Sequence, residues 1–147
     1  MIAVDTNILV YAHREGLQQH ERALAWMRHL VESPTPWALP VFCLGEFVRV
    51  VTHPRVFDPP STMEEALAAL EAFLASPSVR LLLPGEQFAA MLMECLREGD
   101  ARGNIAFDAQ IAALCREQGI DRILTEDRDF ARFSSLRTIL LSCPVES

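Results

Sequence analysis

The sequence predicts an α/β protein in which a mainly parallel sheet is flanked by helices. Short apolar segments rich in β-branched residues alternate with segments of helical periodicity along the chain. Parallel strands need long crossover connections, which helices usually supply, so this alternation favours a parallel sheet covered on both faces. The 147 residues contain no linker, internal repeat or low-complexity tract. We therefore expect residues 1–147 to form a single domain.

Five short segments are predicted to be strands. Each contains at least two consecutive apolar residues and lies near turn-forming or charged residues. The first is apolar throughout and predicts a buried strand. In chain order the predicted strands are Met1 to Val4, Trp37 to Leu39, Val79 to Leu83, Asp121 to Thr125 and Leu136 to Leu141.

The segments between these strands show helical periodicity. Pro34 and Pro54 end two of them, and Pro40 opens one. Either Ser61 or Thr62 can cap another, because a glutamate follows each by three residues, and its apolar stripe is Leu67, Leu70 and Leu74. Gly99 and Gly119 are expected at helix ends. The predicted helices are a first one after Asp5, then Gln18 to Glu32, Val41 to Thr52, residue 61 or 62 to Ala75, Glu86 to Glu98, Ile105 to Gln118 and a short one near Phe130.

The composition excludes several classes of enzyme. All 13 basic residues are arginine, and lysine is absent. This excludes a P-loop lysine, a Schiff-base enzyme and phosphoryl-aspartate chemistry that depends on lysine. The net charge of −7 argues against a broad non-specific nucleic-acid surface, although a compact cluster of acids gives the same sum.

Neither a leader, a membrane span nor a zinc site is expected. Met1 opens directly onto the first strand, and the longest apolar run, Val41 to Val51, is interrupted by Glu46 and Arg49. We therefore expect a cytoplasmic protein with no membrane partner. The cysteines and histidines occur singly without ligand spacing, which predicts buried free thiols and surface histidines. They are Cys43, Cys95, Cys115, Cys143, His13, His20, His29 and His53.

Asp5 is an acid between two hydrophobic stretches. Burying an ionised carboxylate costs several kcal/mol or more unless an arginine, a proton or a metal ion neutralises it. If Met1 to Val4 is the central strand, Asp5 stands at its carboxyl end, where open α/β sheets place their ligand crevices. Asp127 has the same position after the strand that ends at Thr125. A turn aspartate is the simpler interpretation of Asp127, and also of Asp129.

Two further acids interrupt the apolar stripes of helices. Glu46 has Phe42, Cys43 and Val50 as helical neighbours. A surface ion pair with Arg49 is the alternative explanation of Glu46. Asp108 lies on the stripe of Ile105, Ile111, Ala112 and Cys115, although it could simply be an acid in the first helical turn.

Together the four acids would meet in one crevice at the carboxyl edge of the sheet. Like charges so close cannot all stay ionised unless cations lie among them. Oxygen ligands without histidine or cysteine favour hard ions such as Mg²⁺ or Mn²⁺.

Four motifs in this order resemble those of the PIN-domain ribonucleases, specifically the VapC-type toxins of toxin–antitoxin pairs. They are DTNILVYA at the start, the isolated Glu46, FDAQIAALC after a GN loop, and ILTEDRDF before the last strand. The resemblance covers essentially the whole chain. It implies a PIN-like three-layer sandwich with strand order 3-2-1-4-5.

The resemblance also implies site residues. The acidic set that binds metal and carries out catalysis corresponds to Asp5, Glu46, Asp108 and Asp127. Groups that would orient these carboxylates are Thr6, Asn7 and Thr125. The spacing in ILTEDRDF leaves Asp129 or Glu126 available as the fourth acid, with Asp127 preferred.

The implied activity is hydrolysis of RNA with one or two Mg²⁺ or Mn²⁺ ions, giving a 5′-phosphate and a 3′-hydroxyl. The implied partners are an antitoxin, whose arginine could enter the acidic pocket, and a second copy of the chain in a homodimer. Candidate dimer contacts are the helices Met63 to Ala75 and Gln18 to Val31. Arginines that flank the site in sequence, and could contact RNA, are Arg14, Arg55, Arg128 and Arg132.

Two other functions stay open at this stage. One is a Mg²⁺-dependent phosphatase on a similar sheet, against which the missing lysine and the absence of a DxD motif count. The other is a non-catalytic PIN-like module whose acids bind a basic partner peptide. Acids at all four positions argue against that module, because binding alone needs no particular acid geometry. No GxGxxG is present, which excludes a dinucleotide-binding Rossmann protein.

Overall fold

A five-stranded, fully parallel sheet forms the centre of the protein, in a computed structural model that describes residues 1–145. The strand order is β3-β2-β1-β4-β5, so the first strand is central, as predicted. β1 pairs with β2 on one side and with β4 on the other. The strands are β1 (Ile2–Val4), β2 (Trp37–Pro40), β3 (Val79–Leu82), β4 (Arg122–Leu124) and β5 (Arg137–Ile139).

Helices cover both faces of the sheet. The first helix contacts the second and the third, and the third contacts the fourth, whereas the last two contact each other and a short 3₁₀ helix. Since parallel crossovers are right-handed, the first four lie on one face and the others on the opposite face, which confirms the predicted three-layer α/β fold. The helices are α1 (Thr6–His13), α2 (His20–Glu32), α3 (Phe42–Val51), α4 (Met63–Leu74), α5 (Phe88–Gly99) and α6 (Ile105–Glu117), with the 3₁₀ helix at Arg128–Arg132.

The core lies between the sheet and the helical layers. Its largest fully buried side chains include Trp26, Trp37 and Phe47. Cys43, Cys95 and Cys115 are buried free thiols, and Cys143 is half-buried. Among residues 1–145, no helix is both long enough and apolar enough to cross a bilayer.

The predicted surface position is wrong for His20. This residue is only 8% exposed, and its Nδ1 donates to the carbonyl oxygen of Tyr11 at 2.8 Å. His13 is half-buried, with Nε2 2.9 Å from Ser61 Oγ. Each ring pairs its polar atom with an oxygen from another part of the chain, a contact that residue spacing alone does not reveal.

The N-terminus of α4 resolves the choice between Ser61 and Thr62. Thr62 Oγ1 accepts from the backbone N–H of Glu65, and Glu65 Oε1 accepts from the N–H of Thr62. This is a capping box. The leucine stripe of α4 faces outward: Leu67 and Leu74 are exposed, whereas α2 buries its stripe in the core.

Gly99 lies at the end of a helix, as predicted, but it does not supply the backbone conformation that ends the helix. It is the last residue of α5, and Asp100 adopts the left-handed conformation (φ 44°) that ends the helix. A Cβ on Gly99 would lie 2.7 Å from Cε1 of Phe133. Gly99 is therefore explained by the close approach of the Phe133 ring rather than by its own backbone angle.

Candidate active site

The candidate site lies at the carboxyl edge of the sheet, between β1 and β4. The chain leaves β1 toward β2 on one side and later returns to β4 on the other side, so a crevice opens where the connections diverge. Asp5 directly follows β1, and Thr125 directly follows β4. Because Val4 lies opposite Leu124 in the parallel register, the residues that follow the two strands are brought together.

Asp5 is only 5% exposed and is held by two short hydrogen bonds. Its Oδ1 accepts from the backbone N–H of Thr6 at 2.7 Å, and its Oδ2 accepts from the hydroxyl of Thr125 at 2.7 Å. Burial raises the pKa of Asp5 to about 6, the two hydrogen bonds oppose this rise, and the charges of Glu46 and Asp127 add to it. The two hydrogen bonds therefore fix the orientation of the Asp5 side chain, while burial favours its protonated form.

The turn after β4 presents two of its three acids to the site. Thr125 Oγ1 accepts from the backbone N–H of Asp127 at 2.9 Å, and Asp127 Oδ1 accepts from the backbone N–H of Asp129 at 2.9 Å. Arg132 Nε lies 3.5 Å from Asp129 Oδ1. The same hydroxyl that fixes Asp5 thus also fixes the turn that presents Asp127 and Asp129.

Asp108 joins these two acids from the first turn of α6. One carboxylate oxygen from each of Asp108, Asp127 and Asp129 lies within 4.8 Å of the others. Burial raises the pKa of Asp108 well above its usual range, and the charges of Asp127 and Asp5 raise it further. The protein on its own therefore favours a proton on this cluster, because burial and the repulsion between close carboxylates both disfavour full ionisation.

Glu46 and Asp108 line one cleft of about 700 Å³ from the two helical layers. Asp127 and Asp129 line the same cleft. Asp5 is not part of its lining, but Glu46 raises the pKa of Asp5, and Asp5 raises that of Asp108. The four predicted acids therefore form one electrostatic group, with Asp5 buried beside the cleft.

Neither rival explanation of the acids accounts for this arrangement. Within residues 1–145, Glu46 makes no ion pair, so it is not the partner of Arg49. Asp108 does lie in the first turn of α6, as its alternative supposed. Nevertheless its carboxyl group lies against Asp127, which a favourable position at a helix N-terminus does not require.

The two alternatives for the fourth acid lie on different sides of the turn. Asp129 belongs to the cluster with Asp108 and Asp127. Glu126 faces another pocket, and its Oε1 accepts from the backbone N–H of Leu141 at 2.6 Å. The geometry therefore adds Asp129 to Asp127 and places Glu126 outside the cluster.

The three predicted orienting groups act differently from one another. The Thr125 hydroxyl contacts Asp5 directly, whereas Thr6 contacts Asp5 through its backbone N–H. Asn7 Nδ2 donates to Thr125 Oγ1 at 3.4 Å. Its Oδ1 is buried and has no hydrogen-bond partner among residues 1–145.

These features fit a hard divalent cation. The ligand atoms offered by Asp108, Asp127 and Asp129 are all carboxylate oxygens, which Mg²⁺ and Mn²⁺ prefer. A cation would offset the burial of negative charge and the mutual repulsion, which together raise the pKa of Asp5 and Asp108. The unpartnered Oδ1 of Asn7 is an acceptor that water molecules of such a centre could satisfy.

The arginines selected from the sequence do not line the cleft. Arg14 donates to Pro59 O at 2.9 Å and lies over the ring of Phe57, and Arg132 donates to Gly99 O at 2.8 Å. The cleft-lining arginine is instead Arg49, at i+3 from Glu46. Phe107 and Gln110 also line the cleft, and both were missed. Helical spacing from Glu46 was an available signal for Arg49, whereas Phe107 and Gln110 lie at i−1 and i+2 from Asp108, a spacing that does not predict a shared face.

Comparison with known proteins agrees with the fold and the motifs. The family model of the PIN domain matches residues 2–136. Ribonuclease VapC43 of Mycobacterium tuberculosis is 39% identical over 137 residues, which cover 93% of this chain and 92% of the relative.

Solved structures resemble the fold over nearly the whole chain. The crystal structure of VapC20 of Mycobacterium tuberculosis, described as a toxin that cleaves the sarcin-ricin loop, has a TM-score of 0.67 at 24% identity and covers 89% of this chain and 93% of that one. VapBC2 from Rickettsia felis, bound to a DNA fragment from its promoter, has a TM-score of 0.68 at 19% identity, covering 95% and 98%. With a family match over most of its length and a relative well above 30% identity, the chain belongs to the PIN-domain family, among the VapC ribonucleases.

Proposed function

We propose that this PIN-domain protein is an endoribonuclease toxin that hydrolyses RNA phosphodiester bonds with Mg²⁺ or Mn²⁺ bound to its acidic cluster. The observation that carries the proposal is the convergence of carboxylates from α3, α6 and the turn after β4 on one cleft, with Asp5 buried beside it and electrostatically coupled to these acids. Its relatives are named ribonucleases, and RNA is accordingly the substrate we assign.

In this proposal the acids have distinct roles. Asp108 and Asp127 hold the ion directly, with Asp129 as a further ligand from the same turn. Glu46 contributes from the α3 wall, and Asp5 supports the centre from its buried position. Thr125, Thr6 and Asn7 keep these groups in place through the hydrogen bonds described above.

A bound divalent ion supplies two effects: it lowers the pKa of water and stabilises negative charge on the reacting phosphate. The protein's part is to hold the carboxylates in a fixed arrangement before substrate arrives. Thr125 is central to this, because its hydroxyl bonds to Asp5 and to the backbone of Asp127 at once. No covalent intermediate is required, and the expected products are a 5′-phosphate and a 3′-hydroxyl.

The proposed protein partners are an antitoxin and a second copy of the chain. An arginine from the antitoxin would be attracted by the acidic cluster and would occupy the place of the cation. For the homodimer, α4 is the better of the two helices considered, because Met63, Leu67 and Leu74 are exposed on it. We propose the cytoplasm as the place of action, where RNA and such a partner are available.

The decisive experiment compares cleavage of RNA by wild type, Asp108→Asn and Asp121→Asn with Mn²⁺ and with EDTA. Asp121 is an exposed acid just before β4, at the opposite edge of the sheet, and serves as the matched control. We expect EDTA and Asp108→Asn to abolish cleavage, Asp121→Asn to leave it unchanged, and circular dichroism to show all three folded. Full cleavage by Asp108→Asn would refute the assigned metal centre.

A further inference from the structure

The α3 wall of the cleft contains a glycine that the protein's own packing does not explain. Gly45 lies inside α3, next to Glu46, where glycine is less favourable than any residue except proline. Its backbone is not in the left-handed region, and a Cβ added to it would meet nothing within 4 Å. Neither the backbone nor a neighbouring side chain within residues 1–145 therefore requires glycine here.

Across the cleft, α6 exposes an aromatic ring. Phe107 is 56% exposed although it is a large hydrophobic residue, and it directly precedes Asp108. It lines the cleft together with the acidic cluster, and within residues 1–145 its ring packs against no other aromatic ring or guanidinium. Such a ring can stack on a nucleotide base of any sequence.

One arginine lines the cleft together with Gly45 and Phe107. Arg49 is exposed and is the sole basic residue among the lining residues of the cleft. It lies one helical turn from Glu46 and makes no ion pair within the described part of the chain. A guanidinium in this position is suited to a phosphate next to the one held at the metal centre.

From these features we infer that Gly45, Arg49 and Phe107 form a subsite for one nucleotide of the RNA, adjacent to the phosphate that is cleaved. The base stacks on Phe107, Arg49 binds the neighbouring phosphate, and the missing side chain of Gly45 leaves room for the sugar-phosphate backbone. The inference rests on the proposed ribonuclease function. An aromatic face, a planar cation and a metal centre in one cleft together match a nucleotide in charge and shape.

The first test concerns Phe107. Affinity for a short fluorescein-labelled single-stranded RNA is measured by fluorescence anisotropy in EDTA, which prevents cleavage, and KM and kcat are measured with Mn²⁺. Phe107→Ala should weaken binding and raise KM by about tenfold, with kcat nearly unchanged, while Phe107→Trp should restore both. Met93→Ala is the control, because Met93 is a 57% exposed hydrophobic residue on α5 outside the cleft.

A probe without bases separates stacking from backbone contacts. An oligonucleotide built of abasic ribose phosphates should bind wild type and Phe107→Ala equally. The stacking role is refuted if Phe107→Ala binds the normal RNA as tightly as wild type does. It is also refuted if the substitution weakens binding of the abasic probe by the same factor as binding of the normal RNA.

The second test concerns Arg49 and Gly45. Arg49→Ala should reduce the slope of log affinity against log salt by about 0.7, as expected for one phosphate contact on a single strand, whereas Arg97→Ala on α5 should not. Gly45→Leu should weaken RNA binding without lowering the melting temperature, because a Cβ at this exposed position meets nothing within 4 Å and leucine is more favourable than glycine in a helix. Unchanged salt dependence or unchanged affinity would overturn the corresponding assignment.

Failure of this inference is distinguishable from failure of the proposed function. If wild type cleaves no RNA with Mn²⁺, the ribonuclease proposal fails, and the anisotropy measurements still decide whether the subsite exists. If wild type cleaves but Phe107→Ala retains its KM, the subsite alone is refuted. Variants that bind and cleave RNA normally but lose the antitoxin would assign these residues to the protein partner and overturn the nucleotide subsite.

Discussion

Thr125 donates a hydrogen bond of 2.7 Å to Oδ2 of Asp5, joining the ends of two adjacent parallel strands at the candidate active site. The same oxygen of Thr125 accepts from the backbone N–H of Asp127 at 2.9 Å and from Nδ2 of Asn7 at 3.4 Å. One buried hydroxyl therefore connects both strand-end acids of the site. This arrangement makes Thr125 a positioning residue whose removal should affect stability and activity together.

Thr125→Val should destabilise the protein by about 2–4 kcal/mol. It removes a hydrogen bond to a charged acceptor and leaves the N–H of Asp127 without its partner. Thr125→Ser keeps the hydroxyl and should cost about 1 kcal/mol for the lost methyl group. Urea denaturation measures both free energies of unfolding. We expect RNA cleavage to be lost in the valine variant and largely kept in the serine variant, and equal stability of the two would contradict this role.

Asp5→Asn should remove a pH-dependent loss of stability from the metal-free protein. The pKa of Asp5 rises from 3.8 to about 6 on folding, so the folded state binds a proton more tightly than the unfolded chain between these values. Stability of wild type is therefore lost as the pH rises through this window, by an amount on the order of 3 kcal/mol. The variant does not titrate at this position. Its free energy of unfolding should therefore rise relative to that of wild type between about pH 4 and pH 6, and the difference should stay constant at higher pH. Urea denaturation in EDTA across this range measures the difference. A difference independent of pH would contradict the assigned titration.

Mn²⁺ should raise the melting temperature of wild type, and more so at about pH 8 than at about pH 6. The pKa of Asp108 is raised chiefly by burial, so protons compete with the cation at the lower pH. At about one hundred times the dissociation constant, a ligand specific to the folded state contributes about 2.7 kcal/mol, or roughly 5–10 °C for a chain of this size. Differential scanning fluorimetry with Asp108→Asn as the comparison checks this, and an equal shift in that variant would indicate that the ion binds elsewhere.

Asp129→Asn should weaken Mn²⁺ binding and reduce cleavage by about tenfold or more, whereas Glu126→Gln should leave both close to wild type. Asp129 offers a ligand atom beside Asp108 and Asp127, while Glu126 accepts from Leu141 N–H outside the cluster. Because glutamine can still accept the Leu141 hydrogen bond, Glu126→Gln is a matched control that removes one acid from the same turn. Isothermal titration with Mn²⁺ and cleavage rates measure the two effects. A larger effect of Glu126→Gln than of Asp129→Asn would contradict the assignment of Asp129 to the acidic cluster.

Much of the fold and of the site was predictable from local patterns. The apolar segment before Asp5 predicted the central strand, and the breaks in the stripes of α3 and α6 predicted that Glu46 and Asp108 face a crevice. These predictions succeeded because strand and helix periodicity determine which side chains share a face. The choice between Asp129 and Glu126 was not predictable, because it depends on the hydrogen bonds of one turn.

The sequence by itself determined the order of strands and helices, the positions of the four acids on them and the resemblance to the PIN-domain family. Only the tertiary structure decided that Asp129 joins Asp108 and Asp127, that the Thr125 hydroxyl holds Asp5, and that Phe107 and Arg49 line the same cleft. The physical reason is that periodicity fixes the direction of a side chain from its own helix or strand. Distances between side chains on different elements instead depend on the local turns and on how the helical layers pack across the sheet.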